Sequence, residues 1–387
     1  MAKPTKYKKN GQTFYRIQVY LGTDPLTGER VKTTISQCNT QKEAQQKAMQ
    51  LKIAFANGTY QKKSLETFQD VYNEWIKEYE TTVAESTFVK TSGIFRNHIL
   101  PKFGEYRIER IDAKICEKHV KEWKEKLQKF KTVQSYCSLV FDYAIKEKII
   151  SRNVMKEVKV SKKKKEAIKL EDLEEIVEEE NFYTKEELLH FLKCLEQESN
   201  YKAFTLFQLL AYSGMRKGEA LGLTWNDINF KTNEIRINKA LKRGKENRLY
   251  LGPTKTEKPR TIKMGKKTMD ILHEWKKRQK QEYLKLGYNT LKPNQLVFSN
   301  ENNTFLQPTK TRKWIVHVQN KYGLKKITTH GLRHTHCSLL FEIGRPIKEV
   351  QERLGHSDIK TTMNIYAHVT NEAKGEAAEK LDDYTDF

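Results

Sequence analysis

Six side chains in the second half of this 387-residue chain, Arg216, Lys255, His330, Arg333, His356 and Tyr366, carry the types that chemistry on an anionic ester requires. An arginine offers a planar fork of donors that meets two phosphate oxygens at once, which a lysine cannot do with the same geometry. A tyrosine phenol has an ordinary pKa of about 10, so its attack at neutral pH needs a proton acceptor and a cationic surrounding. His330 and Arg333 stand three apart and can share one face of a helix, while His356 precedes Tyr366 by ten positions. Each residue also has an ordinary reading: Arg216 as a surface arginine, Lys255 as an exposed lysine and His330 as a satisfied core histidine.

The elements that must position these groups can be read from local pattern. Arg216 follows Ser213-Gly214-Met215, a glycine turn, and stands at the start of a helix that includes Glu219. Arg248 to Leu251 and Arg260 to Met264 read as two strands flanking Gly252-Pro253-Thr254-Lys255-Thr256, which sets Lys255 on or beside a hairpin tip. Thr184-Lys185-Glu186-Glu187 is a capping box ahead of Leu188, Leu189 and Leu192, and it marks a domain that opens near residue 181. Before it, Ser161 to Lys165 and the acid-rich stretch from Glu171 to Glu180 form a charge block with little to bury, an interdomain connector.

Upstream, from Thr67 to about Val160, Phe68, Val71, Trp75 and Tyr79 recur at helical spacing, and further stripes near Ile94 to Leu100, Ile115 to Leu127 and Val133 to Ile149 predict four or five packed helices. At the N-terminus, Asn10-Gly11 signals a hairpin, and Tyr15, Ile17, Val19 and Leu21 alternate onto one face of a strand. A turn through Asp24-Pro25 and Thr27-Gly28, a strand from Arg30 to Ile35 and a capping box at Thr40 to Glu43 follow, opening a helix that buries Ala44, Ala48, Leu51 and Phe55 and ends near Gly58. The result is a small three-stranded sheet backed by one helix. Its other face carries Phe14, Arg16, Gln18 and Tyr20, of which Arg16, Gln18 and Tyr20 are candidates to enter a DNA groove; solvent exposure explains the pattern as well.

Charge points to a polyanionic partner. Lys and Arg outnumber Asp and Glu by 72 to 49, a formal net charge of +23. Residues 1–63 alone hold twelve basic side chains against Asp24, Glu29 and Glu43. The five cysteines are scattered and never form C-x-x-C, which argues against a disulfide framework and a zinc site. No stretch approaches the length of a membrane span, and a cytosolic protein is expected.

Arg, Lys, His-x-x-Arg, His and Tyr in this order resemble the signature of the tyrosine recombinase, or phage integrase, family, and the words around them match too: S-G-M-R-K-G-E, H-G-L-R-H-T-H and L-G-H-S. The resemblance covers essentially the whole chain, with His98 to Gly104 and Ser151 to Met155 as landmarks of the helical region, although proline is commoner where Val154 stands. It implies an α+β multidomain protein: an arm-type DNA-binding sheet domain (1–63), a helical core-binding domain (64–165), a charged linker (166–180) and a mainly α catalytic domain with a small antiparallel sheet (181–387).

The implied activity is site-specific integration and excision of a mobile element, phage or conjugative, through a 3′-phosphotyrosyl intermediate. Tyr366 is then the nucleophile, Arg216 and Arg333 neutralise the charge that grows on the non-bridging oxygens, and His330 accepts the phenol proton. By the family's logic His356 contacts the scissile phosphate and Lys255 protonates the departing 5′ oxygen. No cofactor or metal is expected, since the phosphoester energy is kept and no clustered carboxylate set lies near the motifs. Implied partners are double-stranded DNA at core and arm attachment sites, a homotetramer on synapsed DNA, an excisionase and a host DNA-bending protein, with no membrane. Glu219, Asp227 and Asp358 read as structural, with Glu219 able to orient Arg216; His334, His336 and His368 read as packed or exposed, and Tyr384 lies in an acidic tail. A type IB topoisomerase and a non-enzymatic DNA-binding regulator are the competing readings.

Overall fold

Alternation along the N-terminal strands decides which side of the first sheet is buried. The computed structural model describes residues 3–9, 12–23, 30–57, 67–159, 181–255, 258–355 and 363, and the chain divides into two units, Met1–Thr82 with Thr91–Ser161 and Val83–Lys90 with Lys162–Phe387. In the first unit β1 (Thr5–Lys9), β2 (Gln12–Thr23) and β3 (Arg30–Cys38) form an antiparallel sheet in that order. Lys9 pairs with Gln12, and the Asn10-Gly11 signal itself lies outside the described residues. Ile17, Val19, Leu21 and Cys38 pack on Ala44 and Ala48 of α1 (Gln41–Ala56), with Leu51 and Phe55 partly buried beside them. Thr40 caps α1 by accepting from the Glu43 amide, while the Glu43 carboxylate reaches back one residue further than the usual box, to the Asn39 amide. Arg16, Gln18 and Tyr20 are on the exposed face, as the alternation predicts.

The helical stripes also fold as read. Phe68, Val71, Trp75, Phe95, Phe103, Trp123 and Phe141 form a core shared by α2 (Phe68–Thr82), α3 (Glu85–Ile94), α4 (Leu100–Phe103), α5 (Ala113–Lys126), α6 (Phe130–Lys146) and α7 (Val154–Glu157). A π-helical turn at Phe95–Ile99 joins α3 to α4. Val154 stands at the first helical position of α7, where proline is favoured, and the turn forms without it because Asn153 caps the Met155 amide and donates to Ser138 and Asp142.

The second unit holds α8 (Lys185–Glu196), opened by the Thr184/Glu187 capping box, then α9 (Tyr201–Ser213) and α10 (Lys217–Leu221). Five short strands follow: β4 (Ile228–Asn229), β5 (Glu234–Ile237), β6 (Lys239–Arg243), β7 (Leu249–Pro253) and β8 (Arg260–Lys263). Helices α11 (Lys266–Lys285), α12 (Pro308–Lys321), α13 (Gly331–Glu342) and α14 (Ile347–Leu354) complete the described part. Its apolar core runs through α9, which is buried along almost its whole length, and includes Trp275, Phe298 and Leu332. Cys337, Phe341, Val350 and Leu354 seat α14 on α13.

One expectation about this region is corrected. The strands flanking Lys255 do not pair with each other: β7 pairs with β6, and β8 joins β5 in the order β4-β5-β8. Among the described residues β7 and β8 belong to separate small antiparallel sheets, and Lys255 lies on the connection between them instead of at a hairpin tip. Both strands have the local pattern of hairpin partners; their actual partners are fixed by long-range packing, which periodicity does not carry.

Candidate active site

Gly214 creates the turn that presents Arg216. Its φ is +64°, and a Cβ there would come within 2.5 Å of His336 Cδ2 and 2.6 Å of Leu354 Cδ2, so only glycine fits without strain. Arg216 then sits at the N-cap of α10, its side chain 22% exposed. Its amide donates to Glu219 Oε2 at 2.9 Å, Nη1 donates to Glu219 Oε1 at 3.0 Å, and Nη2 donates to the Gly355 carbonyl at 3.0 Å.

Arg333, the third residue of α13, is 2% exposed. Nη1 donates to the Gly214 carbonyl and Nη2 to the Leu354 carbonyl, each at 2.8 Å. Burial and the neighbouring Arg216 push its pKa down to about 9, which still leaves it cationic at neutral pH. His330 is the N-cap of α13, so it stands just ahead of the helix, at the rim, open to solvent while Arg333 points inward. The protein mass beneath its ring, together with His334, Arg333 and Arg216, pushes its pKa down to about 4; at neutral pH it is a neutral imidazole able to accept a proton. His334 stacks edge-on against it with ring centroids 4.9 Å apart.

The approach to His330 is itself fixed. Asn181 accepts from the Thr328 amide at 2.8 Å, and Tyr183 donates to the Lys325 carbonyl while its own amide donates to Thr335 Oγ1. These contacts tie the start of the domain to the loop that delivers His330.

Three predicted site residues are therefore brought together: Arg216, His330 and Arg333. Lys255 is exposed, following the buried Thr254. His356 and Tyr366 lie outside the described residues, as do Asp358, His368, Tyr384 and the 166–180 linker. Asp227 is structural, capping Thr224 and ion-pairing with Lys239.

Local reading missed the frame around these groups. Glu219 is 1% exposed and is gripped from the other side by Arg260, whose Nη1 and Nη2 donate to its two oxygens at 3.2 and 2.8 Å. Burial raises the Glu219 pKa, but the Arg260 and Arg216 contacts outweigh it and the net shift is downward. His336, 7% exposed, meets the Ala211 carbonyl through Nδ1 at 2.8 Å and receives Arg353 Nε at Nε2, 3.1 Å away. An acceptor at one nitrogen and a cationic donor at the other select the neutral Nδ1–H tautomer, and burial with the Arg353 charge pushes the pKa down to about 3. The only local hint of this frame was the three-residue spacing of Arg216 and Glu219.

Residues 181–373 match the family model described as "Phage integrase family", and residues 67–124 match "Phage integrase, N-terminal SAM-like domain". A curated relative, the tyrosine recombinase XerC-like protein of Caldanaerobacter subterraneus subsp. tengcongensis, is 30% identical over 99% of both chains. The chain belongs to the phage integrase family of tyrosine recombinases. The ICEBs1 integrase of Bacillus subtilis is 27% identical over 98% of this integrase and 99% of its own length. Among solved structures, the Tn1549 transposon integrase in complex with a circular intermediate DNA superposes with a TM-score of 0.66 at 21% identity, covering 81% of this chain and 100% of that one. A lambda integrase dimer bound to a COC′ core site covers 94% and 95%, with a TM-score of 0.57 at 16% identity. The integrase is accordingly a site-specific DNA recombinase acting in integration and excision. Among its described residues no helix is long and apolar enough to cross a membrane.

Proposed function

We propose that this integrase cleaves and rejoins attachment-site DNA through Tyr366, with Arg216, Lys255, His330, Arg333 and His356 as its catalytic partners. The observation that carries the reading is the convergence of Arg216 and Arg333 on the Gly355 and Leu354 carbonyls, directly before His356. Tyr366 Oη attacks the scissile phosphorus while neutral His330 accepts the phenol proton. The bond from phosphorus to the 5′ oxygen breaks, and Lys255 gives that oxygen a proton. Arg216 and Arg333 neutralise the non-bridging oxygens in the transition state, and His356 donates to the phosphate.

A 5′ hydroxyl from the partner strand then attacks the phosphotyrosine and the phenol leaves. One phosphoester replaces another at each step, so the cycle needs no nucleotide, and the arginines supply the charge neutralisation that a metal supplies elsewhere. Residues 1–63 bind arm sites through the Arg16, Gln18 and Tyr20 face, residues 64–165 grip the core site, 166–180 link them to the catalytic domain at 181–387, and a homotetramer provides one nucleophile for each exchanged strand. An excisionase and a host DNA-bending protein set direction, and the reaction takes place on DNA in the bacterial cytoplasm.

The test uses a nicked suicide duplex carrying the element's own attachment site. Wild type should trap an SDS-stable protein–DNA adduct and Tyr366→Phe should not. A wild-type chain that traps none, or a Tyr366→Phe chain that traps as much, refutes the assignment.

A further inference from the structure

The end of α14 is held by three arginines that lie far apart in sequence. The last carbonyls of a helix have no partner within it. Here the Gly355 amide turns back to the Gln351 and Glu352 carbonyls, and the next three carbonyls, of Arg353, Leu354 and Gly355, accept from Arg260 Nε at 3.1 Å, Arg333 Nη2 at 2.8 Å and Arg216 Nη2 at 3.0 Å. The negative end of the helix dipole thus faces a cluster of cations. Two of those arginines belong to the proposed chemistry. The third, Arg260, does not.

Arg260 opens β8 and is 12% exposed. Its Nε and both Nη atoms are engaged with the Arg353 carbonyl and the two Glu219 oxygens. Glu219 in turn holds the amide and Nη1 of Arg216. A Cβ on Gly355 would lie 3.1 Å from Arg260 Nη1, so the small residue leaves space for this packing. Without Arg260, Glu219 would have one guanidinium grip instead of two, and a helix-end carbonyl would lose its donor next to the backbone that enters His356.

We propose that Arg260 is a positioning residue for strand cleavage, acting through Glu219 on Arg216 and through the Arg353 carbonyl on the chain leading to His356. The inference rests on the function proposed above. A lysine at this position keeps the charge but has a single nitrogen, which cannot hold the carboxylate and the carbonyl in the same fork.

The full chain carrying Arg260→Lys is compared with wild type for single-turnover adduct formation on the nicked duplex, with either an ordinary phosphate or an uncharged methylphosphonate at the scissile position. Arg260→Lys should bind DNA within about twofold of wild type and cleave the phosphate about tenfold or more slowly. Its deficit should shrink on the methylphosphonate, which asks less of Arg216. Arg260→Gln, which removes the charge but keeps an amide that can donate to the Arg353 carbonyl, should show the same substrate dependence and serves if Arg260→Lys does not fold. Combining Arg260→Lys with Glu219→Gln should cost less than the product of the two single effects. Wild-type cleavage by Arg260→Lys, an equal deficit on both substrates, or a fully multiplicative double variant overturns the role of Arg260. Failure of the wild-type chain to form an adduct overturns the proposed function as well.

Discussion

Arg216 Nη2 donates to the Gly355 carbonyl at 3.0 Å, joining two points 139 positions apart in sequence. The same side chain holds Glu219 through Nη1, so its orientation depends on two acceptors at fixed angles. A single ammonium cannot serve both while also facing a phosphate. Arg216→Lys should therefore lower single-turnover adduct formation by about 10²–10³-fold, the usual cost of one transition-state donor, with a much smaller change in DNA affinity. Rates and binding measured on one duplex check this directly.

Glu219 is the carboxylate at the junction of Arg216 and Arg260, close to Arg333. Removing its charge with Glu219→Gln leaves those cations crowded in a buried site and should cost about 3–5 kcal/mol of stability in urea denaturation near neutral pH. The pKa of Glu219 is lowered from 4.5 by folding, so its contribution is present above that value and is lost as pH falls through the folded pKa. The wild-type advantage over Glu219→Gln should accordingly shrink in acid.

His336 makes the opposite kind of group acid-sensitive. Folding depresses its pKa from 6.5 to about 3, so the unfolded chain binds the proton more tightly between those values. The neutral form's stabilisation is complete above 6.5 and declines steadily as pH drops, by a total on the order of 5 kcal/mol. His336→Gln, which can still donate to the Ala211 carbonyl and accept from Arg353, should flatten the dependence of the urea midpoint on pH between about 6.5 and 4. An unchanged slope in the variant would assign the acid sensitivity to other groups.

The basic N-terminal segment predicts DNA binding that weakens steeply with salt, as counterions are released from many phosphate contacts. Deleting residues 1–63 should abolish arm-site binding, measured by gel shift, and spare adduct formation on a core-site duplex. Retained arm-site affinity would count against the domain assignment.

Much of this integrase is legible locally. The alternation of Tyr15, Ile17, Val19 and Leu21, the Thr40 and Thr184 caps, and the stripe from Phe68 to Tyr79 are short-range patterns, and each folds as its period dictates. The order of Arg216, Lys255, His330, Arg333, His356 and Tyr366 carries the family in its residue types and spacing. The sequence alone determined most of the local elements and the set of candidate reactive groups.

Tertiary structure decided how those groups are held. Local pattern gave β7 and β8 to each other, whereas packing gives β7 to β6 and β8 to β5. Local pattern shows Glu219 only as a structural carboxylate three residues from Arg216, whereas the fold brings Arg260 onto it from 41 positions away and onto the Arg353 carbonyl from 93. Nothing near Arg260 or Arg353 distinguishes them from other basic residues in so basic a chain. The contact of Arg260 arises because the last carbonyls of α14 have no partner within the helix, and the fold brings Arg216, Arg260 and Arg333 to meet them. A requirement created by one element and met by three others is visible only after all four have packed.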